Sequence, residues 1–467
     1  MKASEWQTVQ DVEQWVYASY LRAKDRLTDT LDEKVRRPQL TRLLLDRLAS
    51  PDRSGYNVVV AGSKGKGSTS VMLAGILRQH GWRVGLFTSP HLIRFTERIR
   101  LNGDVISDGD FVRLARRVKE VADPIAERLA EHEYVSPVGL AAVMAALYFH
   151  EQGTDVNIWE CGRGALFDDV NQVVHQEAVI TPILSEHLTQ LGPDWQEVVR
   201  HKLGVVTSTV RHVYIGKQDP QVEREIRRRT GGWKELEIVW AGRDVCVSGV
   251  HTGMRGTAFT VQTERGRYEK LMVPLIGEFQ ADNAALAVAC AENVVQRLNP
   301  PRQRPAFRRL THSLVRTALA SATWPGRMQL VSRDPIVFVD GAIHRRSAQY
   351  VAETLTRLSN RPGVLVIGIP RDKDYTGVMT VLAPLARKVI VTAADRDRGK
   401  MPHDAANVAK TFCSQVEFEE GSVEAFQLGL VDLKQDEWMA VVGTQSLVGE
   451  AVAFFRQGAA RADGACR

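Results

Sequence analysis

A glycine-rich turn between a short apolar strand and a helix is the first feature of the sequence that could do chemistry. It reads VVVAGSKGKGSTS from residue 58 to residue 70. Glycines let the backbone curl so that several N–H groups point at one phosphate, and the following helix N-terminus adds positive potential. A lysine can neutralise the β- and γ-phosphates, and a serine or threonine hydroxyl can bind Mg²⁺. The candidate nucleotide-binding residues are Gly62, Gly65, Lys66, Gly67, Ser68 and Thr69.

The spacing G-x-x-G-K-G-S is shorter than the common G-x-x-x-x-G-K-[ST] pattern. A plain turn rich in glycine, serine and lysine could match it. The setting favours the functional interpretation, because the segment lies between a predicted strand and a predicted helix. These residues indicate a nucleotide but do not specify a reaction.

Two further candidates follow predicted buried strands. Glu160 ends the strand Val156 to Glu160, and His187 follows the strand Ala178 to Leu184. Open α/β sheets bind ligands at the carboxyl ends of their strands, and Mg²⁺ prefers oxygen ligands. A carboxylate at a strand end suits that ion, whereas an imidazole would be an unusual ligand. Either residue alone could equally be structural.

Helices and strands that would position these residues alternate along most of the chain, which predicts an α/β fold with a mostly parallel sheet. The first fifty residues are predicted to be helical. Short strands with turn signals between about 235 and 275 indicate an antiparallel segment that interrupts this alternation. A helix is predicted from Ala281 to Leu298. The proline-rich stretch Asn299 to Arg309 is the best linker candidate. We therefore predict an N-terminal helical segment and phosphate-loop domain over 1–305, and a smaller Rossmann-like α/β domain over 310–467.

Composition is that of an ordinary globular protein, with 44% hydrophobic and 25% charged residues. The sequence lacks a long apolar run and a secretory signal pattern, so we expect a cytoplasmic protein without a membrane partner. The five cysteines are widely spaced, which favours reduced thiols. The basic run from Arg224 to Arg229 has no interleaved aromatic residues, so we expect a solvated helix face and no nucleic-acid partner. The sequence does not fix the oligomeric state, and a monomer is plausible.

Two linked blocks carry a resemblance to a known family. AGSKGKGS, followed by GLFTSPHLIRFTERIRLNG, resembles the signature of the folylpolyglutamate synthase and dihydrofolate synthase family within the Mur ligases. The match is strongest from about residue 58 to residue 111 and continues patchily to the end of the chain. The TSPHL block is much more specific than the glycine-rich turn. The resemblance implies a Mur-ligase-like central domain and an ATP-dependent ligase.

The resemblance also implies a metal site. In this family a loop serine, a glutamate and a histidine hold Mg²⁺ near the γ-phosphate, and Ser89, Glu160 and His187 stand at those positions, with Ser68 as a further candidate. Lys202 matches a lysine that is carbamylated in many Mur-type ligases. The block ECGRGALFDDVN departs from the family's pattern at Arg163, and the family's Asp-His pair appears as Ser-Glu-His, so only the histidine carries over.

Matches in the second half of the chain imply the remainder of the ATP site. Gln280 and Asn283 resemble residues of a helix that lines the adenine. Arg327, in a Trp-Pro-Gly-Arg segment, resembles an arginine that reaches the phosphates, and Asp340 resembles a nucleotide-contacting aspartate. The residues implied at the amino-acid side of the cleft are His344, which stands one place from the family's histidine, Asp372 and Lys373.

The implied reaction is acyl phosphate formation from a carboxylate and ATP, followed by attack of an amine such as that of glutamate. Lys66, His187, Lys202 and Arg327 are the candidate catalytic residues. The acceptor stays open, because folate enzymes usually carry a phenylalanine–glutamate pair where this chain reads Val135-Ser136-Pro137-Val138. The acceptor could be folate-like or another carboxylate. The alternatives are a nucleotide-binding scaffold or regulator without turnover, and a phosphate-loop motor or GTPase.

Overall fold

The computed structural model describes residues 6–298, 309–431, 433–434 and 436–465. The helices are α1 Val9–Lys24, α2 Asp32–Val35, α3 Pro38–Arg47, α4 Lys66–His80, α5 Asp108–Ala126, α6 Pro137–Glu151, α7 Leu188–Leu191, α8 Trp195–Leu203, α9 Pro220–Thr230, α10 Phe279–Arg297, α11 His312–Ala320, α12 Arg345–Leu358, α13 Tyr375–Leu382, α14 Ala405–Lys410, α15 Ser422–Val431 and α16 Gln445–Ala465. The strands are β1 Tyr56–Ala61, β2 Val84–Phe87, β3 Ile99–Leu101, β4 Asp104–Val105, β5 Val156–Glu160, β6 Glu177–Ile180, β7 His212–Ile215, β8 Glu237–Trp240, β9 Cys246–Gly253, β10 Gly256–Gln262, β11 Arg267–Val273, β12 Gln329–Arg333, β13 Ile336–Asp340, β14 Gly363–Gly368, β15 Ala386–Val391, β16 Gln415–Phe418 and β17 Trp438–Gly443.

The first large sheet has eight strands in the order β4-β3-β2-β5-β1-β6-β7-β8. The strands from β2 to β8 in this order pair in parallel, and β3 and β4 are added antiparallel at one edge. Both faces of the central strand are buried: Val59 packs into one core, while Val58 and Val60 pack into the other. An uninterrupted apolar run such as VVVA is what a strand covered on both faces requires.

The second large sheet has six strands in the order β12-β13-β17-β14-β15-β16. All neighbouring pairs are parallel except β12 with β13. The predicted α/β class, with a parallel-dominated first sheet and a smaller second α/β unit, is confirmed.

One strand assignment was wrong. The segment at residues 237–240, which forms β8, was predicted to belong to the antiparallel segment. It instead pairs in parallel with β7 at the edge of the first sheet. Only β9, β10 and β11 form the separate antiparallel sheet. Periodicity identifies a strand but does not reveal its neighbour, which is why the sequence misassigned this one.

The predicted linker lies almost entirely outside the described residues, since 299–308 are not described. The predicted boundary between 305 and 310 therefore stays a prediction. Among the described residues, none of the helices combines the length and the apolar character needed to cross a bilayer.

The two large sheets present their carboxyl edges to one cavity. At one edge, β1, β5 and β6 end at Ala61, Glu160 and Ile180, and at the other β13 ends at Asp340. Residues that follow or end these strands line the same cavity, so the fold places the predicted site residues of both halves around one space.

Candidate functional site

A cavity of about 630 Å³ lies between the carboxyl edges of the two sheets. Most of the residues predicted from the sequence line it, although they come from segments far apart in the chain. These lining residues are Gly65, Lys66, Gly67, Ser68, Ser89, Glu160, His187, Gln280, Asn283, Arg327 and Asp340.

The glycine-rich turn connects β1 to α4, and its shape depends on close backbone approach. Gly65 has φ +88°, and a Cβ built on it would lie 2.2 Å from Asn283 Oδ1, so a side chain is excluded there. The Lys66 ammonium donates to the carbonyls of Gly62 at 2.9 Å and Ser63 at 3.2 Å. The first-turn N–H groups of α4 have no acceptor inside the helix and are available to an anion.

Gly62 and Thr69 do not line the cavity. Thr69 is fully buried, and its hydroxyl has no hydrogen-bond partner among the described residues. Ser68, one residue earlier, does line it. The prediction that Thr69 binds the nucleotide directly therefore has no support from the geometry, because successive helical residues point in different directions.

Glu160 and Ser89 form the metal-binding candidate nearest the glycine-rich turn. Glu160 is 5% exposed, and one of its carboxylate oxygens accepts from the Ser89 backbone N–H at 3.2 Å. Burial raises the pKa of Glu160, while the nearby Lys66 opposes that shift. A carboxylate and two serine hydroxyls, those of Ser68 and Ser89, are the hard oxygen donors that suit Mg²⁺. The residues present therefore fit the ion that the sequence predicts.

Lys202 is fully buried behind the glycine-rich turn rather than in the cavity. Its ammonium donates to the Gly62 carbonyl at 2.7 Å and lies 3.9 Å from a carboxylate oxygen of Glu186. Burial, helped by Lys66, lowers the pKa of Lys202 to about 7. A substantial fraction of this amine is therefore neutral at physiological pH.

Glu186 is a site residue that the sequence interpretation missed. It lies 3.5 Å from Lys64 and 3.9 Å from Lys202. Burial alone would raise its pKa, but Lys64, Lys202 and Lys66 outweigh that effect and lower the pKa of Glu186 to about 2. Its position beside His187, where the family carries aspartate, was the signal available in the sequence.

His187 belongs to a second group of possible metal ligands. One donor atom each from Glu186, His187 and His344 lies within 4.8 Å of the others. Burial is the main cause that lowers the pKa of His187 to about 3, so its imidazole is neutral. The structure thus pairs Ser89 with Glu160 as predicted, and groups His187 with Glu186 and His344.

Arg327 and Asp340 enter the cavity from the second sheet. Asp340 accepts from the Met328 backbone N–H at 2.8 Å, which ties the end of β13 to the segment that carries Arg327. With its amide oxygen facing the guanidinium, Gln445 accepts from both terminal nitrogens of Arg327, at 2.7 and 3.1 Å. Gln445 was not predicted, because it lies outside the segments whose resemblance to the family is described above.

The remaining predicted residues lie around an adjoining cavity of about 550 Å³. His344, Asp372 and Lys373 line it with Glu186 and His187, and an ion pair of 2.8 Å joins Asp372 to Lys373. Its other cations are Lys64, Arg345 and Arg346. Its acidic side chains are Glu186, Asp372 and Asp374, so four cations face three carboxylates, and the one excess positive charge favours a small anion such as an amino-acid carboxylate.

Comparisons with known proteins agree with this arrangement. Residues 60–291 match the family model described as the Mur ligase middle domain, and residues 326–445 match the one described as the Mur ligase, glutamate ligase domain. The two matches cover the elements that line the cavity from both sides.

Similar curated proteins and structures cover most of the chain. The dihydrofolate synthase/folylpolyglutamate synthase of Bacillus subtilis (strain 168) is 31% identical over 79% of this chain and 84% of that protein. The protein of the same description from Mycobacterium tuberculosis is 30% identical over 80% of this chain and 78% of its own length. A crystal structure of Mycobacterium tuberculosis folylpolyglutamate synthase, complexed with ADP and AMPPCP, superposes with a TM-score of 0.81 at 25% identity, covering 94% of this chain and 99% of that one.

Proposed function

Because the chain belongs to the dihydrofolate synthase/folylpolyglutamate synthase family of the Mur ligases, we propose that it joins glutamate to the carboxylate of a folate-type acceptor. It is an ATP-dependent carboxylate–amine ligase, and it uses ATP with Mg²⁺. The observation that carries the proposal is the cavity between the two sheets, in which Lys66, Glu160 and Arg327 converge.

In the proposed first step the acceptor carboxylate attacks the γ-phosphorus of ATP, giving an acyl phosphate and ADP. Lys66 at the start of α4 and Arg327 from the second sheet would neutralise the charge that develops on the phosphoryl oxygens. Gln445 would orient the Arg327 guanidinium through its two hydrogen bonds. Ser68, Ser89 and Glu160 would hold Mg²⁺, which supplies further neutralisation of phosphate charge.

In the proposed second step the glutamate amine attacks the acyl carbon, and phosphate leaves. The 550 Å³ cavity supports a role in binding glutamate, since Lys64, Arg346 and Lys373 could meet its two carboxylates. This cavity shares Glu186 and His187 with the larger one, so the amine would arrive next to the acyl phosphate. Enclosure between the two sheets would limit hydrolysis of that intermediate.

The decisive experiment measures ADP and phosphate release with ATP, Mg²⁺, glutamate and a panel of acceptor acids. Turnover that requires dihydropteroate or tetrahydrofolate is the expected result, and the product should gain the mass of one glutamate residue. Removal of Mg²⁺ with EDTA should abolish it. Turnover restricted to a non-folate acid would refute the folate assignment while leaving the ligase intact.

Lys66→Ala tests the assigned site. We expect kcat to fall by roughly 10²-fold or more, because a charge that stabilises the transferring phosphoryl group is removed. Lys24→Ala, which changes an exposed lysine at the end of α1, is the matched control. Undiminished turnover by Lys66→Ala would overturn the assignment of this cavity as the active site.

A further inference from the structure

A closed ring of charged side chains lies beside the strand end that carries Glu160. It consists of Asp32 and Arg36 from the short helix α2, and of Arg163 and Asp168 from the loop that follows β5. The side chains of the two aspartates are each only 1% exposed, so both negative charges are buried. We call these four residues the charge ring.

Each member of the charge ring contacts the next. The Nε of Arg163 donates to Asp32 at 3.1 Å, and a terminal nitrogen of the same guanidinium donates to the other carboxylate oxygen. Asp32 also pairs with the Arg36 Nε at 3.3 Å, and a terminal nitrogen of Arg36 lies 3.3 Å from Asp168. Asp168 accepts from the backbone N–H of Gly162 at 3.2 Å, and Gly162 directly precedes Arg163, so the ring closes through the chain itself.

The charge ring reaches the reacting centre through the backbone of Gly162. Gly162 and Arg163 both line the nucleotide cavity and follow Glu160 closely in the chain. A Cβ built on Gly162 would lie 3.1 Å from Asp168 Oδ2 and 3.9 Å from the Ser89 hydroxyl. The backbone that the ring fixes at Gly162 is therefore the backbone that lies next to two proposed Mg²⁺ ligands, Ser89 and Glu160.

Apolar burial does not explain the position of α2. This helix has four residues, and its only buried residue is Asp32. Polar contacts hold the segment around it: the Thr30 hydroxyl donates to the Thr189 carbonyl at 3.0 Å, and Glu33 lies 3.2 Å from Arg200. A buried ion pair is weak evidence of stabilisation, because the cost of removing both charges from water offsets most of their attraction. Fold stability alone therefore does not account for the ring.

We propose that the charge ring positions the oxygen ligands of Mg²⁺, with Asp32 and Arg163 as positioning residues that act through Gly162 on Ser89 and Glu160. Residues that orient metal ligands control metal affinity without touching the ion. The N-terminal segment is then a functional part of the active site. Arg163 is also a position at which the chain departs from the family's pattern, so the resemblance does not imply this ring. The inference rests on the proposed placement of Mg²⁺ at Ser89 and Glu160.

The test measures by calorimetry how much Mn²⁺ tightens the binding of AMPPCP, a non-hydrolysable ATP analogue, so that turnover is not needed. The measured quantity is the Kd for AMPPCP without metal divided by the Kd with Mn²⁺. We expect Asp32→Asn and Arg163→Gln each to lower this ratio by about ten-fold, the lower end of the usual effect of losing a residue that orients metal ligands. The Kd without metal should stay the same.

Two further variants test the contact itself. The double variant Asp32→Asn/Arg163→Gln should lower the ratio by less than the product of the two single effects, because each substitution breaks the same contact. Arg163→Lys, which keeps the charge, should retain part of the ratio.

Arg42→Gln is the matched control. It breaks another contact between an arginine and a buried aspartate of the N-terminal segment, that of Arg42 with Asp52 at 2.7 Å, and neither residue lines the nucleotide cavity. This variant should lower the unfolding temperature and leave the ratio unchanged. A fall of the ratio as large as that in Arg163→Gln would contradict a specific role for the charge ring.

The remaining outcomes separate the inference from the metal site on which it rests. Arg163 is 30% exposed, so Arg163→Gln should fold, which thermal unfolding checks. An unchanged ratio in this variant overturns the positioning role alone, and so does an equal loss of affinity with and without Mn²⁺, because such a loss reports damage to the nucleotide site. A ratio of one in wild type, or a ratio that Glu160→Gln does not alter, overturns the placement of Mg²⁺ and this inference together.

Discussion

At the scale of single residues, Lys202 has the most unusual environment in the site. Its side chain is fully buried, its ammonium donates to the Gly62 carbonyl, and Lys66 lies close enough to help lower its pKa to about 7. Burying such a charge costs folding free energy unless the group is paired or loses its proton. Lys202 thus combines structural support of the glycine-rich turn with an amine that is partly neutral.

The lowered pKa of Lys202 predicts a pH-dependent cost to stability. Between pH about 7 and about 10.4 the unfolded chain holds a proton on this lysine that the folded chain has released, so stability rises with pH across that window. Lys202→Met removes this contribution. We therefore compare the free energy of unfolding of Lys202→Met with that of wild type. The difference, variant minus wild type, should be highest near pH 7 and should fall by at most ~1.4 kcal/mol per pH unit toward pH 9, because only wild type gains stability over this range.

Chemical unfolding at pH 7, 8 and 9 measures that difference. Lys24→Met, on the exposed end of α1, is the control and should follow wild type at every pH. Parallel pH curves for Lys202→Met and wild type would show that Lys202 titrates normally in the folded protein.

The same neutral fraction predicts carbamylation of Lys202. Only an unprotonated amine attacks CO₂, forming an N–C bond and releasing a proton, and a pKa of about 7 leaves roughly half of the amine available at pH 7. The carbamate would carry negative charge near Lys66, which favours an anion there, and near the carboxylate of Glu186, which opposes it. We expect ¹³C-labelled bicarbonate to give a carbamate carbon signal in wild type that Lys202→Met lacks. An identical spectrum for the two proteins would refute the modification.

At the scale of elements, the start of α4 is shaped by a ring from the second half of the chain. A Cβ built on Gly67 would lie 2.6 Å from the Trp324 ring, so the indole rests directly on the backbone of the glycine-rich turn. Trp324 also lines both the nucleotide cavity and a neighbouring cavity of about 470 Å³ that runs along α4. The indole therefore packs against the start of α4 where the two cavities adjoin.

Gly67→Ala should disturb this contact. The added methyl forces the indole or the turn to move, at a cost of about 1–3 kcal/mol, which corresponds to a roughly 5- to 150-fold higher KM for ATP. Adding Trp324→Ala should recover part of that loss, because the clashing ring is then gone. Gly75→Ala, in the same helix, is the control: its Cβ would meet nothing nearer than 3.7 Å. If the double variant has the same KM for ATP as Gly67→Ala alone, the clash with the Trp324 ring is not the cause of the raised KM.

Strands buried on both faces were predictable from the sequence, whereas the edge strands β12 and β16 were not, and the edge strand β8 was recognised as a strand but assigned to the wrong sheet. The largely apolar sequences of β1, β14 and β17 are typical of strands that are covered on both faces. The edge strands β12 and β16 have mixed, partly exposed residues and gave no comparable signal. Edge strands need only one partner, so their sequences are less constrained.

The site followed a similar rule. Residues in a motif, such as Lys66, Ser89 and Glu160, could be named in advance because loop and strand-end positions carry their chemistry. Glu186 and Gln445 could not, because their roles depend on cations that are distant in sequence, Lys202 and Arg327. Partners of this kind are set by tertiary folding within each half of the chain, since Glu186 meets Lys202 in the first half and Gln445 meets Arg327 in the second.

At the scale of the whole molecule, the nucleotide cavity exists only because the two sheets approach each other. Leu92, in the loop after Ser89, packs against the core of the second sheet, and a Cβ on Gly449 of α16 would lie 2.5 Å from the Leu92 carbonyl oxygen. On the other side, Glu278 forms an ion pair with Arg357. Both partners of that pair are about half exposed, so it contributes little to holding the halves together.

An aromatic contact beside that ion pair should contribute more. Phe279 at the start of α10 and Tyr350 of α12 have ring centroids 5.3 Å apart, and both rings line the nucleotide cavity. Such pairs couple by about 0.5–1.5 kcal/mol. If the contact stabilises the closed arrangement that binds ATP, Phe279→Leu and Tyr350→Leu should each raise the KM for ATP. The KM of the double variant should then be roughly two- to ten-fold lower than the two single effects multiplied together would give.

The control for that cycle is an aromatic pair of similar geometry away from the cavity. Phe426 and Phe454 have centroids 5.6 Å apart, within the core of the second sheet. Phe454→Leu should lower the unfolding temperature without changing the KM for ATP, because it alters packing inside one half only. Strictly additive effects of Phe279→Leu and Tyr350→Leu on the KM would mean that each ring touches the nucleotide independently. Coupling between them would instead show that ATP affinity depends on how closely the two halves of the chain meet.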